Sequence, residues 1–182
     1  KKNRALFGGA LSSESASAIQ IRNCAFSSNS ADDAGGGIWL TAGRCWIGRS
    51  VFEYNQARYN GGAAGAAGGD LFFWRSDVKR NRVKGFGGGL YAVGTSQVHA
   101  NYSKIHGNTS GVNGGGLFAD NGSTLTLRHT DVVANWSAGT TTGALGVHGL
   151  ASASLHNSTF QANAPTHVDG IWADLGGNVF IP

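Results

Sequence analysis

The chain has 182 residues, 41% of them hydrophobic, which is enough for one sizeable core. Thirty glycines against two prolines, without a Gly-X-Y period, exclude collagen. Fourteen basic and ten acidic residues leave a formal charge of +4 with no run of like sign, so neither the balance nor its distribution supports nucleic-acid binding. No apolar run approaches the ~20 residues that cross a bilayer, so direct membrane insertion is not expected. Cys24 and Cys45 fit neither a CxxC nor a Cys/His zinc spacing, and the six histidines share no column, so no metal is expected. No phosphate loop and no nucleophile elbow is present, and no cofactor is expected.

Taken in chain order, one pattern recurs. Cys24-Ala25-Phe26-Ser27-Ser28-Asn29 is followed by Gly35-Gly36-Gly37-Ile38-Trp39, and Ser50-Val51-Phe52-Glu53-Tyr54-Asn55 by Gly61-Gly62. Ser76-Asp77-Val78-Lys79-Arg80-Asn81 leads to Gly87-Gly88-Gly89-Leu90-Tyr91, and Ser103-Lys104-Ile105-His106-Gly107-Asn108 to Gly114-Gly115-Gly116-Leu117-Phe118. Thr130-Asp131-Val132-Val133-Ala134-Asn135 precedes Gly143-Ala144-Leu145, and Ser158-Thr159-Phe160-Gln161-Ala162-Asn163 precedes Gly170-Ile171-Trp172. Asn3 with Phe7-Gly8-Gly9 reads as the tail of an earlier copy. A spacing of 26 to 28 residues between the asparagines is the mark of a solenoid. The chain opens and closes inside a repeat, so residues 1–182 read as a single domain that belongs to a longer polypeptide.

Within each copy the residue three before the asparagine is apolar and the one five before is small, while the residues between vary freely. This is the period-2 pattern of a half-buried strand. Ile38/Leu40, Leu90/Ala92 and Leu117/Ala119 mark a second strand, and Ile19-Gln20-Ile21, Cys45-Trp46-Ile47 and Leu71-Phe72-Phe73 begin the series of a third. Three short strands in each copy predict an all-β parallel β-helix of six to seven coils, each strand pairing with its counterpart roughly 4.8 Å away. Asn29, Asn55, Asn81, Asn108, Asn135 and Asn163 then point inward at a corner and form a hydrogen-bonded ladder. The glycines supply positive φ or a close backbone approach at the next corner.

The pairing of F-x-x-N (Phe26/Asn29, Phe52/Asn55, Phe160/Asn163) with Gly-Gly-Gly-Ile or Gly-Gly-Gly-Leu at 35–38, 87–90 and 114–117 resembles the repeats of the polymorphic outer membrane proteins of chlamydiae. The resemblance implies a right-handed helix at a cell surface or outside the cell, with adhesive or structural roles and no catalytic residues to carry over. Thr141-Thr142-Gly143 and Val168-Asp169-Gly170 depart from the repeat and imply altered corners late in the chain.

Stacking the coils brings Asp77, Lys104 and Asp131 into one outward column beside Glu53, Lys79 and His106. A polysaccharide-active enzyme (lyase, hydrolase or epimerase) would place its acid and base groups on such a face. Lys104 between the two aspartates favours a solvated salt-bridge ladder instead, and so a protein that is not an enzyme. Two further columns, largely aromatic, are expected to face outward: Trp39, Tyr91, Phe118, Leu145 and Trp172 on the second strand, and Trp46, Phe72, Trp74 and His99 on the third. Outward aromatics predict packing against other protein chains or flanking parts of the same protein, with carbohydrate stacking as the alternative. Of five glycosylation sequons, Asn108 and Asn135 fall on the ladder, whereas Asn101, Asn121 and Asn157 fall at outward or loop positions. Cys24 is expected to be buried, with Cys45 one coil further on, leaving a disulfide open.

Overall fold

The computed structural model describes residues 2–139 and 141–182. The coil that starts at Ser50 shows the plan. Val51–Glu53 lies in sheet 1, Gln56–Ala57 in sheet 2, Ala64–Ala67 in sheet 3 and Asp70–Trp74 in sheet 4, after which Asp77–Lys79 returns to sheet 1. Among the described residues sheet 2 has six strands and the other three have seven, each strand hydrogen-bonded in parallel to its counterparts in the coils on either side. The three expected strands are sheets 1, 3 and 4, and the register of Asp77 with Lys104 and of Lys104 with Asp131 is the expected one. Sheet 2 adds a fourth side to the coil. In its central coils it is only two residues long, too short to show a period.

The inward columns fill the bore. Sheet 1 contributes Phe52, Val78, Ile105, Val132 and Phe160, all 1% exposed or less. Side-chain volume is balanced within a coil: Ala64 and Ala66 on sheet 3 share theirs with Phe52 and Phe73, whose rings meet edge to face at 5.6 Å. Keeping the volume per coil near constant lets coils stack at strand spacing without voids.

The asparagine ladder runs the length of the rod. Each Nδ2 donates to the Oδ1 of the next asparagine, at 3.1 Å for Asn3 to Asn29, 2.9 Å for Asn29 to Asn55 and 3.0 Å from Asn55 on through Asn81, Asn108 and Asn135 to Asn163. Asn108 shows full satisfaction of one amide. Its Oδ1 accepts the backbone N–H and Nδ2 of Asn81, and its Nδ2 also donates to the carbonyl of Val78 at 2.9 Å. A second ladder, unforeseen in the sequence, uses the small residues of the opposite end of sheet 1. The backbone N–H of Ser50 donates to Ser76 Oγ, that of Ser76 to Ser103 Oγ, and that of Thr130 to Ser158 Oγ, at 3.2, 3.1 and 3.2 Å. Each hydroxyl donates in turn to the carbonyl two residues earlier, as Ser76 does to Trp74 at 3.1 Å.

Both ladders depend on a left-handed residue just before the ladder residue. Arg49, Arg75, Tyr102 and His129 have φ of 48–51°, and Tyr54, Arg80 and Ala134 have φ of 51–56°. Glycine was expected to carry the positive φ; it precedes a ladder residue at Gly107, before Asn108, and bends the turns into sheet 4, as at Gly94, and the third corner, as at Gly61 and Gly87. At the other two corners ordinary residues bear a left-handed strain of about 1 kcal/mol each, held by the hydrogen bonds around them. Two outcomes follow for unfolding in urea. Asn108→Ala, which breaks four buried hydrogen bonds, should lose at least about 3 kcal/mol. Ala134→Gly, at an exposed left-handed position, should gain about 1 kcal/mol.

Candidate functional site

The aromatic column of sheet 3 is not a surface. Trp39, Tyr91 and Phe118 do leave the main core, but they are only 7%, 7% and 2% exposed. They form a second apolar cluster with Ala34, against which Phe7 and Phe86 pack. Trp39 lies 6.4 Å from Tyr91, and Tyr91 6.1 Å from Phe118. Gly65 explains how Trp39 fits between coils, since a Cβ there would sit 2.6 Å from its ring. Elsewhere in the same glycine-rich segment a neighbouring backbone comes close, since a Cβ at Gly62 would clash with the carbonyl oxygen of Gly88 and one at Gly68 would lie 2.7 Å from that of Thr41. Burial pushes the Tyr91 hydroxyl up to about 12, with Asp120 adding to the effect.

Late-coil register accounts for two further corrections. Leu145 pairs with Leu117 and faces the core, and Gly146 takes the place beside Phe118. Val168-Asp169-Gly170 completes sheet 3, so Trp172 belongs to sheet 4, paired with Ala153 in the inward column at the end of the rod. Cys24, expected to be buried, is exposed, while Cys45 is buried, and both thiols are free.

On sheet 1 the charged column exists, but its ion pairs do not run down the Asp77, Lys104, Asp131 column. Asp77 meets Lys79 Nζ at 3.2 Å and His106 Nε2 at 2.9 Å, and Lys79 reaches Glu53 at 3.9 Å. Among the described residues Lys104 and Asp131 make no ion pair. Both Asp77 oxygens are thus engaged, one by the Lys79 ammonium and one by the His106 ring, an arrangement suited to a half-solvated polar network. Among the described residues no group of three or more His, Cys, Asp or Glu could hold a metal.

Sheet 4 carries the open site. Trp46 stacks on Phe72 at 5.6 Å, and Phe72 on His99 at 4.8 Å, so one outward column is a continuous pile of rings. Burial holds His99 below the usual imidazole range, opposed by Asp70 and reinforced by Arg128, which keeps it neutral against Phe72. The next outward column reads Arg22, Gly48, Trp74, Asn101. Trp46 and Trp74 are each 41% exposed and flank a groove of about 620 Å³. Arg49 lies 5.4 Å and Arg75 4.5 Å from the centre of the Trp74 ring. Asn101, expected to be a free sequon, is half-buried at the groove edge, with an Oδ1 that no group pairs. Asn121 and Asn157 are exposed as expected, and Asn108 and Asn135 are buried.

Gly48 floors the groove, and the fold does not require glycine there. Every other glycine without a positive φ would bring an added Cβ within 3.0 Å of a neighbour, whereas at Gly48 the nearest atoms are at 3.9 Å. The missing side chain leaves a socket between Trp46, Trp74 and Arg22. A smaller groove of about 420 Å³ lies on sheet 2 beside Arg82, Lys84 and Trp136.

A family profile described as right handed beta helix region matches residues 4–160. No curated protein and no solved structure matches the chain. The two cysteines allow a direct check on burial: desolvation raises Cys45 to about 12, so its reactive thiolate is scarce at pH 8. A disulfide-exchange reagent at pH 8 should titrate one thiol, Cys24, in the native protein and both after unfolding.

Proposed function

The chain belongs to the right-handed β-helix family, and from that premise we propose that it is a non-catalytic, adhesive rod that binds a carbohydrate chain through sheet 4. The observation that carries this reading is the socket over Gly48, an opening that the packing of the fold does not require, walled by two exposed tryptophans. Pyranose rings offer an apolar C–H face to such walls and hydroxyl groups to polar rims. Assembly with other protein chains through Trp39, Tyr91 and Phe118 loses its surface, because those rings are already packed.

Catalysis on sheet 1 is disfavoured by the double engagement of Asp77. A general acid or base needs a free oxygen facing the substrate. An extracellular or cell-surface setting suits a polymer-binding rod, and Asn121 and Asn157 are the accessible sequons for a glycan.

The test is retention on a panel of immobilised neutral and acidic polysaccharides. Wild-type protein should be retained by at least one, and Trp46→Ala should weaken that retention about tenfold, corresponding to ~1.4 kcal/mol of lost stacking. Retention by none of the panel contradicts the reading, as does cleavage of any of them.

A further inference from the structure

Building on the carbohydrate reading of the sheet 4 groove, we infer that its ligand is an anionic polysaccharide, whose carboxylate or sulfate groups are taken by Arg22, Arg49 and Arg75. The charge around the socket is one-sided: none of its lining residues is acidic, and Arg22 and Arg49 both line it. Arg22, Arg49 and Arg75 have no carboxylate within ion-pair distance among the described residues, whereas Arg4 and Arg44 elsewhere do. The nearest acid in sheet 4, Asp70, is tied to Arg44 at 3.3 Å and to the backbone N–H of Gln97 at 3.1 Å.

The arginines are also positioned. Arg49 and Arg75 occupy left-handed corner positions in successive coils, with φ of 49° and 48°, which fixes where their side chains start. Each guanidinium lies over Trp74. A guanidinium stacked on a ring keeps its in-plane N–H donors free, and that planar fork matches a carboxylate or sulfate. Trp74 therefore serves as a platform for two anion-binding groups, and Trp46 and the Gly48 socket receive the sugar ring between Arg22 on one coil and Arg49 on the next. A single acidic monosaccharide would use one fork, whereas a polymer uses successive coils, which gives the rod its preference for chains.

Two variants separate this site from diffuse attraction to a basic protein. Gly48→Leu fills the socket and leaves every charge in place, with room for its Cβ. Arg49→Asn removes one charge and places at a left-handed position a residue that tolerates it. The probes are polygalacturonate for the carboxylate, chondroitin sulfate for the sulfate, and dextran as the neutral polymer, measured by affinity electrophoresis with the melting temperature of each variant recorded. Retardation by one or both acidic polymers and not by dextran, reduced at least tenfold by Gly48→Leu and by Arg49→Asn and unchanged by Arg82→Gln on sheet 2, supports the inference. Retardation by acidic polymers that Gly48→Leu leaves intact overturns it, because the attraction is then diffuse. Equal retardation by dextran also overturns it while leaving the carbohydrate reading standing, and no retardation by any polymer removes both. If Gly48→Leu melts lower than wild type, Arg49→Asn decides alone: undiminished retardation overturns the inference.

Discussion

The structure depends on hydrogen bonds that run along the rod rather than around it. At each corner of sheet 1 the chain turns through a left-handed residue, which leaves backbone groups with no partner in their own coil. The next coil supplies one from a side chain. The asparagine amides do this at one corner and the serine and threonine hydroxyls at the other, so every coil satisfies its neighbour and is satisfied by it. In a low-dielectric interior such chains reinforce one another, and a single broken rung exposes several unpaired groups at once. The ladders therefore hold the corners of coils 26 to 28 residues long in register, and that register stacks the outward columns.

That constraint frees the outward residues. Because backbone and inward positions hold each coil in place, outward columns can collect rings, charges or nothing without disturbing the fold. Sheet 1 collects a small ion network around Asp77 and Lys79, and sheet 4 collects tryptophan, phenylalanine and arginine. At Gly48 the column carries no side chain where its neighbours carry Arg22 and Trp74. The other glycines are compelled by the approach of a neighbouring backbone or ring, or by their φ; this one is not. A site is thus visible as a place where the scaffold demands nothing and the side chains around it are large and positively charged.

Much of this was legible in the sequence, because ladders need the same residue type at the same offset. The repeat asparagines, the small residue five before each and the apolar residue between them gave the coil, its length and the inward direction. Trp46 and Trp74 were likewise placed on an open face. The burial of Trp39, Tyr91 and Phe118 was not legible, since alternation along a strand tells which residues share a face and not whether another segment covers it. Sheet 2 and the bend after it, which provide Ala34 and Phe86 as that cover, are too short and irregular to show a period. The slip at Trp172 had a different cause: the last coil reaches sheet 3 through Val168–Gly170 instead of a glycine pair, so matching on glycine aligned the wrong residues. Arg49, Arg75 and Gly48 were readable only after the coils were in register, as members of columns in which each coil has a different residue.

The most direct test of the account uses the five tryptophans as reporters of place. Their indole N–H signals, assigned by single substitution, can be followed by nuclear magnetic resonance during titration with an oligogalacturonate. The predicted result is that Trp46 and Trp74 shift together with one dissociation constant while Trp39, Trp136 and Trp172 stay in place. Shifts centred on Trp136 or Trp172, or none at Trp46 and Trp74 while the sugar binds, would contradict it.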